Sequence, residues 1–111
     1  MQALPHPSEQ IWVTPRAIAA LVHHVALQIP GIRGMIPAHG SSTVLSKANV
    51  AQAISMTKGP QGLVLEVFVA MQRGSALEAI AQQFAERLRR ELALALEQPI
   101  AEVQVRIQSV R

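Results

Sequence analysis

The sequence contains no cysteine, no aspartate and no tyrosine among its 111 residues. Without cysteine, disulfides and thiolate metal sites are excluded, and with them the disulfide-stapled scaffolds of small secreted proteins. Without aspartate, no Asp side chain can orient a catalytic histidine. The chain also has only two Phe and one Trp, so it offers few rings on which nucleobases could stack.

Long apolar runs are missing as well, and none approaches the roughly 20 residues that a membrane-spanning helix needs. The opening residues MQALPHPSEQ carry neither a basic leader nor an apolar segment, so we expect no signal peptide. The net charge is +3, from 10 Lys and Arg against 7 acidic residues, which is too small a bias to identify a nucleic-acid binder. We therefore expect a cytoplasmic protein that reaches a membrane only through a partner.

Half of the residues are hydrophobic, so a chain of this length can bury a core and fold as one domain. Residues 1–10 contain two prolines and predict a flexible tail. The folded domain is predicted over residues 11–111.

The first predicted helix begins at Thr14 as the N-cap, with Pro15 in the first helical position. It ends at Pro30-Gly31, since proline and glycine stop a helix. Arg16 is expected on the exposed side together with His23. The apolar stripe consists of Ile18, Leu21, Val22, Val25 and Ile29.

The second predicted helix opens with Ser75-Ala76-Leu77-Glu78, which has the pattern of a capping box. Gln98-Pro99 ends this helix. Its apolar stripe consists of Leu77, Ile80, Ala81, Phe84, Leu88, Leu92 and Ala95.

Four segments have strand patterns: Ile32–Ile36, Asn49–Thr57, Leu63–Met71 and the alternating stretch around Val103. The turn-rich KGPQG joins the second and third segments into an antiparallel hairpin. The predicted order is α-β-β-β-α-β. Two amphipathic helices need an apolar partner, so we expect an α+β two-layer sandwich with both helices on one face of a small mixed sheet.

The opposite face of that sheet is then expected to be uncovered. Many of its predicted residues are small or apolar, which is typical of a contact surface rather than one that faces only water. An alternative is that residues 1–13, with Trp12, fold over this face. The predicted face consists of Ala51, Ala53, Ser55, Val64, Glu66, Phe68, Ala70, Gln104 and Arg106.

The segment Gly31-Ile32-Arg33-Gly34 has the GxxG spacing with which KH modules clamp a nucleic-acid backbone. In a KH module this loop joins two helices, whereas Ile32 onward has a strand pattern here. We therefore favour a structural role, in which Gly31 supplies the left-handed backbone that ends a helix. The alternative is a small KH-like nucleic-acid-binding module.

No other pattern indicates a catalytic, cofactor or metal site, and we predict no residue for any of these roles. His23 and His24 point about 100° apart on a helix, so they do not chelate one ion from one face. Arg87, Arg89 and Arg90 alternate with glutamates and predict a solvent-facing helix surface, with Glu86 and Arg90 in the favourable i,i+4 order. We expect a protein that is not an enzyme.

The ordered segments together resemble the alkaline shock protein family of bacterial envelope stress proteins. The stretch IWVTPRAIAALVHHVALQIPGIRGM resembles the family's opening, which has an Ile-x-Ile-Ser/Thr-Pro start, a helix and then Val-Pro-Gly-Val. The match there is carried by Ile11, Val13, Thr14, Pro15, Pro30, Gly31 and Ile32. LVLEVFVAMQRGSALEAIAQQFAERL resembles its central strand and second helix, and VQVRIQSV its closing strand. Arg73 and Ser109 depart from the family, which often has Tyr and Gly at these positions.

The resemblance implies a non-enzymatic cytoplasmic protein of the envelope stress response, without cofactors or catalytic residues. It also implies homo-oligomers, and a position beneath the cell membrane held by a separate integral-membrane anchor protein. Binding of nucleic acid and direct insertion into the membrane are not expected.

Overall fold

The computed structural model describes residues 15–40 and 43–111. The expected tail at residues 1–10 and the Thr14 cap lie outside the described residues. Along the chain come helix α1 (Pro15–Leu27), strand β1 (Ile32–Met35), a 3-10 helix (Lys47–Ala53), β2 (Ile54–Gly59), β3 (Gly62–Met71), α2 (Leu77–Leu96) and β4 (Ile100–Val110). This confirms the predicted α+β class and the order α-β-β-β-α-β.

Helix α1 buries the stripe that its sequence predicts. The side chains of Ile18, Val22, Val25 and Ile29 are buried, while Leu21 is half-buried at the margin. The helix ends in a tighter turn, in which Gln28 N–H donates to the Val25 carbonyl (3.0 Å). Such tightening satisfies carbonyls that have no partner at a helix end.

Helix α2 is buried along Phe84, Leu88 and Leu92. The stripe was predicted to continue to Ala95, and this is wrong. Ala95 is exposed, and Leu96 packs against the core instead. Leu96 follows Leu92 by four residues and Leu88 by eight, so the periodicity of the helix places all three side chains on the same face.

The predicted capping box at the start of α2 does not form. Ala76 is the N-cap, and no side chain caps the helix. The Ser75 hydroxyl donates to the Gln72 carbonyl (2.5 Å), and the Ser75 N–H also points to this carbonyl (3.3 Å). Both Ser75 groups that a capping box requires are therefore engaged with the preceding turn.

The predicted strand Asn49–Thr57 is correct only in its second half. Residues up to Ala53 form the 3-10 helix, and β2 begins at Ile54. Val50 and Ala53 are its buried residues. Their spacing of three matches the three residues per turn of a 3-10 helix, so both side chains reach the core.

Strand β3 lies at the centre of the sheet and pairs with each of the other strands. It forms the predicted antiparallel hairpin with β2, pairs antiparallel with β1, and pairs parallel with β4. β1 pairs with Val69–Met71 and β2 with 62–67. β1 and β2 therefore lie end to end along one side of β3, and β4 occupies the other side.

Both helices pack on one face of this sheet, as predicted. Leu65, Val67 and Val69 of β3 belong to the same buried cluster as the stripes of α1 and α2. Burial of these stripes provides the main favourable contribution to folding. The arrangement leaves the other sheet face uncovered by the helices.

Candidate functional site

The GxxG segment connects a helix to a strand and not two helices. Gly31 follows α1 with φ +100°, and Gly34 lies in β1 with φ +155°. The Gly31 carbonyl accepts a hydrogen bond from Gln72 N–H (2.7 Å), which ties this turn to the end of β3. The geometry is that of a helix end that leads into an edge strand.

Both glycines of this segment also have close neighbours where a side chain would be. A Cβ at Gly31 would meet the end of the Ile80 side chain, and a Cβ at Gly34 would meet Val44 at 2.5 Å. Arg33 between them is exposed. Packing and backbone conformation account for the two glycines, which favours the structural role over the nucleic-acid clamp.

The two neighbouring histidines of α1 have different surroundings. His23 is half-buried, whereas His24 is exposed and its Nε2 lies 3.0 Å from the side-chain nitrogen of Gln28, one turn later. Gln28 in turn accepts a hydrogen bond from Arg87. Through His24 and Gln28, these contacts link the end of α1 to α2.

The arginines of α2 contact their own neighbours. Arg87 Nε donates to Glu91 Oε2 (2.8 Å), so the ion pair forms here and not between Glu86 and Arg90 as the spacing predicted. Arg89 Nε donates to the Ile100 carbonyl (3.1 Å) and ties α2 to the start of β4.

An open concavity of about 710 Å³ lies over this region of α2. Its charged lining residues are Arg87, Arg89, Arg90 and Glu86. Two of the three arginines already hold an intramolecular acceptor, and no aromatic ring lines the concavity. Proteins that bind single-stranded nucleic acid combine a positively charged groove with stacking aromatic rings. This surface has few free cations and no such ring.

The sheet face away from the helices is the remaining candidate. We call it the open sheet face, and it consists of Ser55, Thr57, Val64, Glu66, Phe68, Glu102, Gln104 and Arg106. Cross-strand partners confirm that these residues share one side, because Ser55 lies opposite Glu66, and Glu66 and Phe68 lie opposite Gln104 and Arg106.

The three alanines that the sequence placed on this face do not contribute to it. Ala51 lies in the 3-10 helix, which precedes the sheet. Ala53 has 0% of its surface exposed and belongs to the core, and Ala70 is likewise 0% exposed. The prediction of a small-residue surface is therefore wrong, because the chain coils at 47–53 and shifts the alternation that placed Ala51 and Ala53.

A chain of polar contacts crosses the open sheet face. Arg106 Nε pairs with Glu66 Oε2 at 2.6 Å, and Arg106 Nη2 donates to Gln104 Oε1 (3.1 Å). Gln104 Nε2 then donates to Glu102 Oε2 (3.0 Å). Because each partner fixes the next, the face presents charges in defined positions, beside the half-buried side chain of Phe68.

The end of this face beside β1 is closed. The Ile36 N–H donates to the Phe68 carbonyl (3.1 Å). Ile36 is only 1% exposed, yet it is not part of the core cluster. Val44 lies over Gly34 on the same side. The alternative that residues 1–13, with Trp12, fold over this face concerns residues outside the described ranges.

A second concavity, of about 620 Å³, was not predicted from the sequence. It lies between α1 and the 3-10 helix and combines several alanines with Arg16 and Lys47. It was missed because 49–53 was assigned to a strand from the sequence, and an extended segment would not run beside α1. Within residues 15–40 and 43–111, no helix is both long and apolar enough to cross a membrane.

Comparison with known proteins adds a family and a fold. The model of the alkaline shock protein 23 family, whose description is a cell envelope-related function, matches residues 4–111. No curated protein matches the sequence. Among solved structures, a MamM CTD with a histidine-to-alanine substitution has a TM-score of 0.50 at 14% identity, over 86% of this chain and 98% of that one. A copper form of another MamM CTD variant gives 0.49 at the same identity and coverage. At such identity the likeness concerns the fold alone.

Proposed function

Because this chain belongs to the alkaline shock protein 23 family, whose function is related to the cell envelope, we propose that it is a non-enzymatic interaction protein of envelope homeostasis. It acts by binding copies of itself and a membrane-anchored partner. Its place is the cytoplasm, at the inner face of the membrane when the partner holds it there.

The observation that supports this proposal most is the open sheet face. Its polar side chains hold one another in place through the Glu66–Arg106 ion pair, and apolar Val64 and Phe68 stand beside them, half-buried. An interface that combines apolar contact with fixed polar groups gains both affinity and specificity. No acid, base or nucleophile is arranged for chemistry on this surface, so binding is the function that it fits.

Substitution of Phe68 tests the role of the face in assembly. Phe68→Glu places a charge beside Glu66 on the open sheet face, so we expect a folded protein with a smaller mass by size-exclusion chromatography with light scattering. Leu94→Glu is the matched control, because Leu94 is 76% exposed on α2. It adds the same charge on the helix layer and should leave the mass unchanged.

Binding to membranes tests the partner. We expect the protein to sediment with native membrane vesicles from its source, but not with protein-free vesicles of the same lipids. Protease treatment of the native vesicles should abolish the binding, since the anchor is a protein. A wild-type protein that is monomeric at high concentration and binds neither kind of vesicle would contradict the proposal.

A further inference from the structure

Strand β4 has one side paired and one side open. All its partners in the sheet belong to β3, from Leu63↔Ile100 to Met71↔Val110. Within the described residues no strand pairs with the opposite side of β4. The backbone N–H and C=O groups on that side form a template for another strand.

The other edges of the sheet are protected, whereas this one is not. Leu45 N–H donates to the Met35 carbonyl (2.8 Å) and covers the outer side of β1. β2 has only six residues and carries Lys58. β4 has 11 residues without proline or lysine, two residues that proteins use to blunt an exposed edge, and its only charged residues are Glu102 and Arg106. The pairing of β4 with β3 is irregular near both ends of β4 and regular between them, at residues 102–107.

The helix-facing side of β4 is also incompletely covered. Val103 and Val105 are half-buried, and Ile107 is 37% exposed. These residues alternate along the strand and face the helix layer. A neighbouring strand with the same pattern would cover them, because directly opposite residues of two antiparallel strands share one face.

We propose that β4 pairs with β4 of a second copy of this chain, antiparallel and about a two-fold axis at Gln104. The contact rests on the proposed function, since it adds a contact between copies that is separate from the open sheet face. In this register Val103 lies opposite the second copy's Val105. Glu102 lies opposite the second copy's Arg106, and the symmetry repeats each pair.

Charge selects this register among its neighbours. Centring the pairing on Arg106 or on Glu102 would place like charges directly opposite each other, which destabilises a strand pair. Centring it on Val105 leaves each charge opposite a glutamine, and centring it on Val103 leaves Glu102 opposite Gln104 and Arg106 opposite Ile100. Only the register centred on Gln104 joins Glu102 to Arg106 twice. A shift by one residue in either direction would place these charges opposite valine, isoleucine or alanine.

The paired sheets form one continuous sheet with all four helices on one side. The two open sheet faces then adjoin and present one surface of twice the width. The Glu66–Arg106 ion pairs of the two copies lie near its centre, because Arg106 is two residues from the axis.

A single introduced cysteine tests the pairing, since the chain has none of its own. Residues directly opposite in an antiparallel pair have Cα atoms about 4.5–5.5 Å apart, within the range that a disulfide bridges. Gln104→Cys should therefore give a covalent dimer on mild oxidation, seen on a non-reducing gel. Gln108→Cys is the control on the same strand. Its two copies would lie about 26 Å apart, eight residues at about 3.3 Å each, and should not link.

The outcomes separate this inference from the proposed function. Linking of Gln104→Cys but not of Gln108→Cys supports the β4 contact, and Phe68→Glu in the same protein should leave the link intact. Failure of Gln104→Cys to link at concentrations where the wild type is oligomeric overturns the β4 contact and leaves the proposed function standing. A wild type that is monomeric throughout overturns the contact too.

Charge reversal provides a second test that needs no oxidation. In a Glu66→Gln background, which removes the acidic partner of Arg106 within its own chain, Glu102→Arg and Arg106→Glu each place like charges across the axis. We expect self-association of either variant to weaken about tenfold, because both cross-strand pairs become repulsive; this corresponds to about 1.4 kcal/mol. An equimolar mixture should recover the association of the background protein, because both cross-strand pairs are then complementary. Equal association of the single variants and the mixture would overturn the register.

Discussion

At the scale of single residues, both helices are followed by a residue with positive φ, but the two residues differ. Gly31 follows α1 with φ +100°, and Glu97 follows α2 with φ +52°. Both conformations are left-handed, a region that costs a residue with a side chain about 1–2 kcal/mol. Glycine adopts this conformation without strain after α1, whereas Glu97 after α2 is strained.

Gly31→Ala should lower the free energy of unfolding by about 1–2 kcal/mol. The cost comes mainly from the backbone, since the nearest obstacle to a Cβ is the movable end of the Ile80 side chain. Chemical denaturation monitored by circular dichroism measures it. Arg33→Ala, two residues away and exposed, is the control and should change stability by less than about 0.5 kcal/mol. Equal effects of the two substitutions would show that the backbone conformation is not the cause.

Glu97→Gly should have the opposite effect and stabilise the protein. Relief of about 1–2 kcal/mol of left-handed strain exceeds the entropy cost of glycine, about 0.5–1 kcal/mol. We expect a net gain of about 0.5 kcal/mol. Glu97→Ala removes the same exposed side chain but keeps the strain, so it should give no gain. A larger gain from alanine than from glycine would contradict the argument.

At the scale of elements, the sequence identified both helices and most strands but misassigned one segment. Strongly periodic stripes such as Phe84, Leu88 and Leu92 leave little choice of structure. Residues 49–53 carry a weak pattern of small side chains, and a local turn decides their conformation. Asn49 N–H donates to the Ser46 carbonyl (2.9 Å), and the two side chains are also hydrogen-bonded. The spacing of Val50 and Ala53 was the available signal for a helical turn of three residues.

The start of α2 provides a test at this scale. Glu78 is in the first turn of α2 but has no role in a capping box, because the Ser75 N–H is engaged with Gln72. Glu78→Gln should therefore cost only the loss of a charge at the helix N-terminus, about 0.3–1 kcal/mol, and the cost should fall in high salt. Stability in urea at low and high ionic strength measures both. A salt-independent loss would indicate a specific cap.

At the scale of the whole molecule, the layer arrangement and the β2–β3 hairpin were predictable, whereas the positions of β1 and β4 beside β3 were not. Two amphipathic helices and a set of alternating strands specify a sandwich with one covered face. The end-to-end placement of β1 and β2 depends on contacts between residues far apart in sequence, such as Ile32 and Met71. Alternation along each strand was enough to identify four members of the open sheet face, namely Glu66, Phe68, Gln104 and Arg106. The loss of Ala51 and Ala53 from it required the structure.

The molecule as a whole should bind nucleic acid poorly. Its net charge is only +3, and two of the α2 arginines are engaged within the chain. We expect no saturable binding of single-stranded RNA at physiological salt below about 100 μM, the weak end of non-specific affinity. Fluorescence anisotropy over a range of salt concentrations measures it. Tight binding that weakens steeply with salt and is lost in Arg33→Ala would instead support the KH-like alternative.

The end-to-end placement of β1 and β2 has a consequence for how the protein opens. Six residue pairs join β2 to β3, whereas three join β1 to β3, with an irregularity among them. One side of β3 can therefore come apart in two independent steps, and the β1 half has fewer hydrogen bonds to break. Amide protons of β1 should exchange with deuterated solvent faster than those of β2, through a local opening that leaves the hairpin intact. Amides near the middle of β3 should exchange only when the entire domain unfolds.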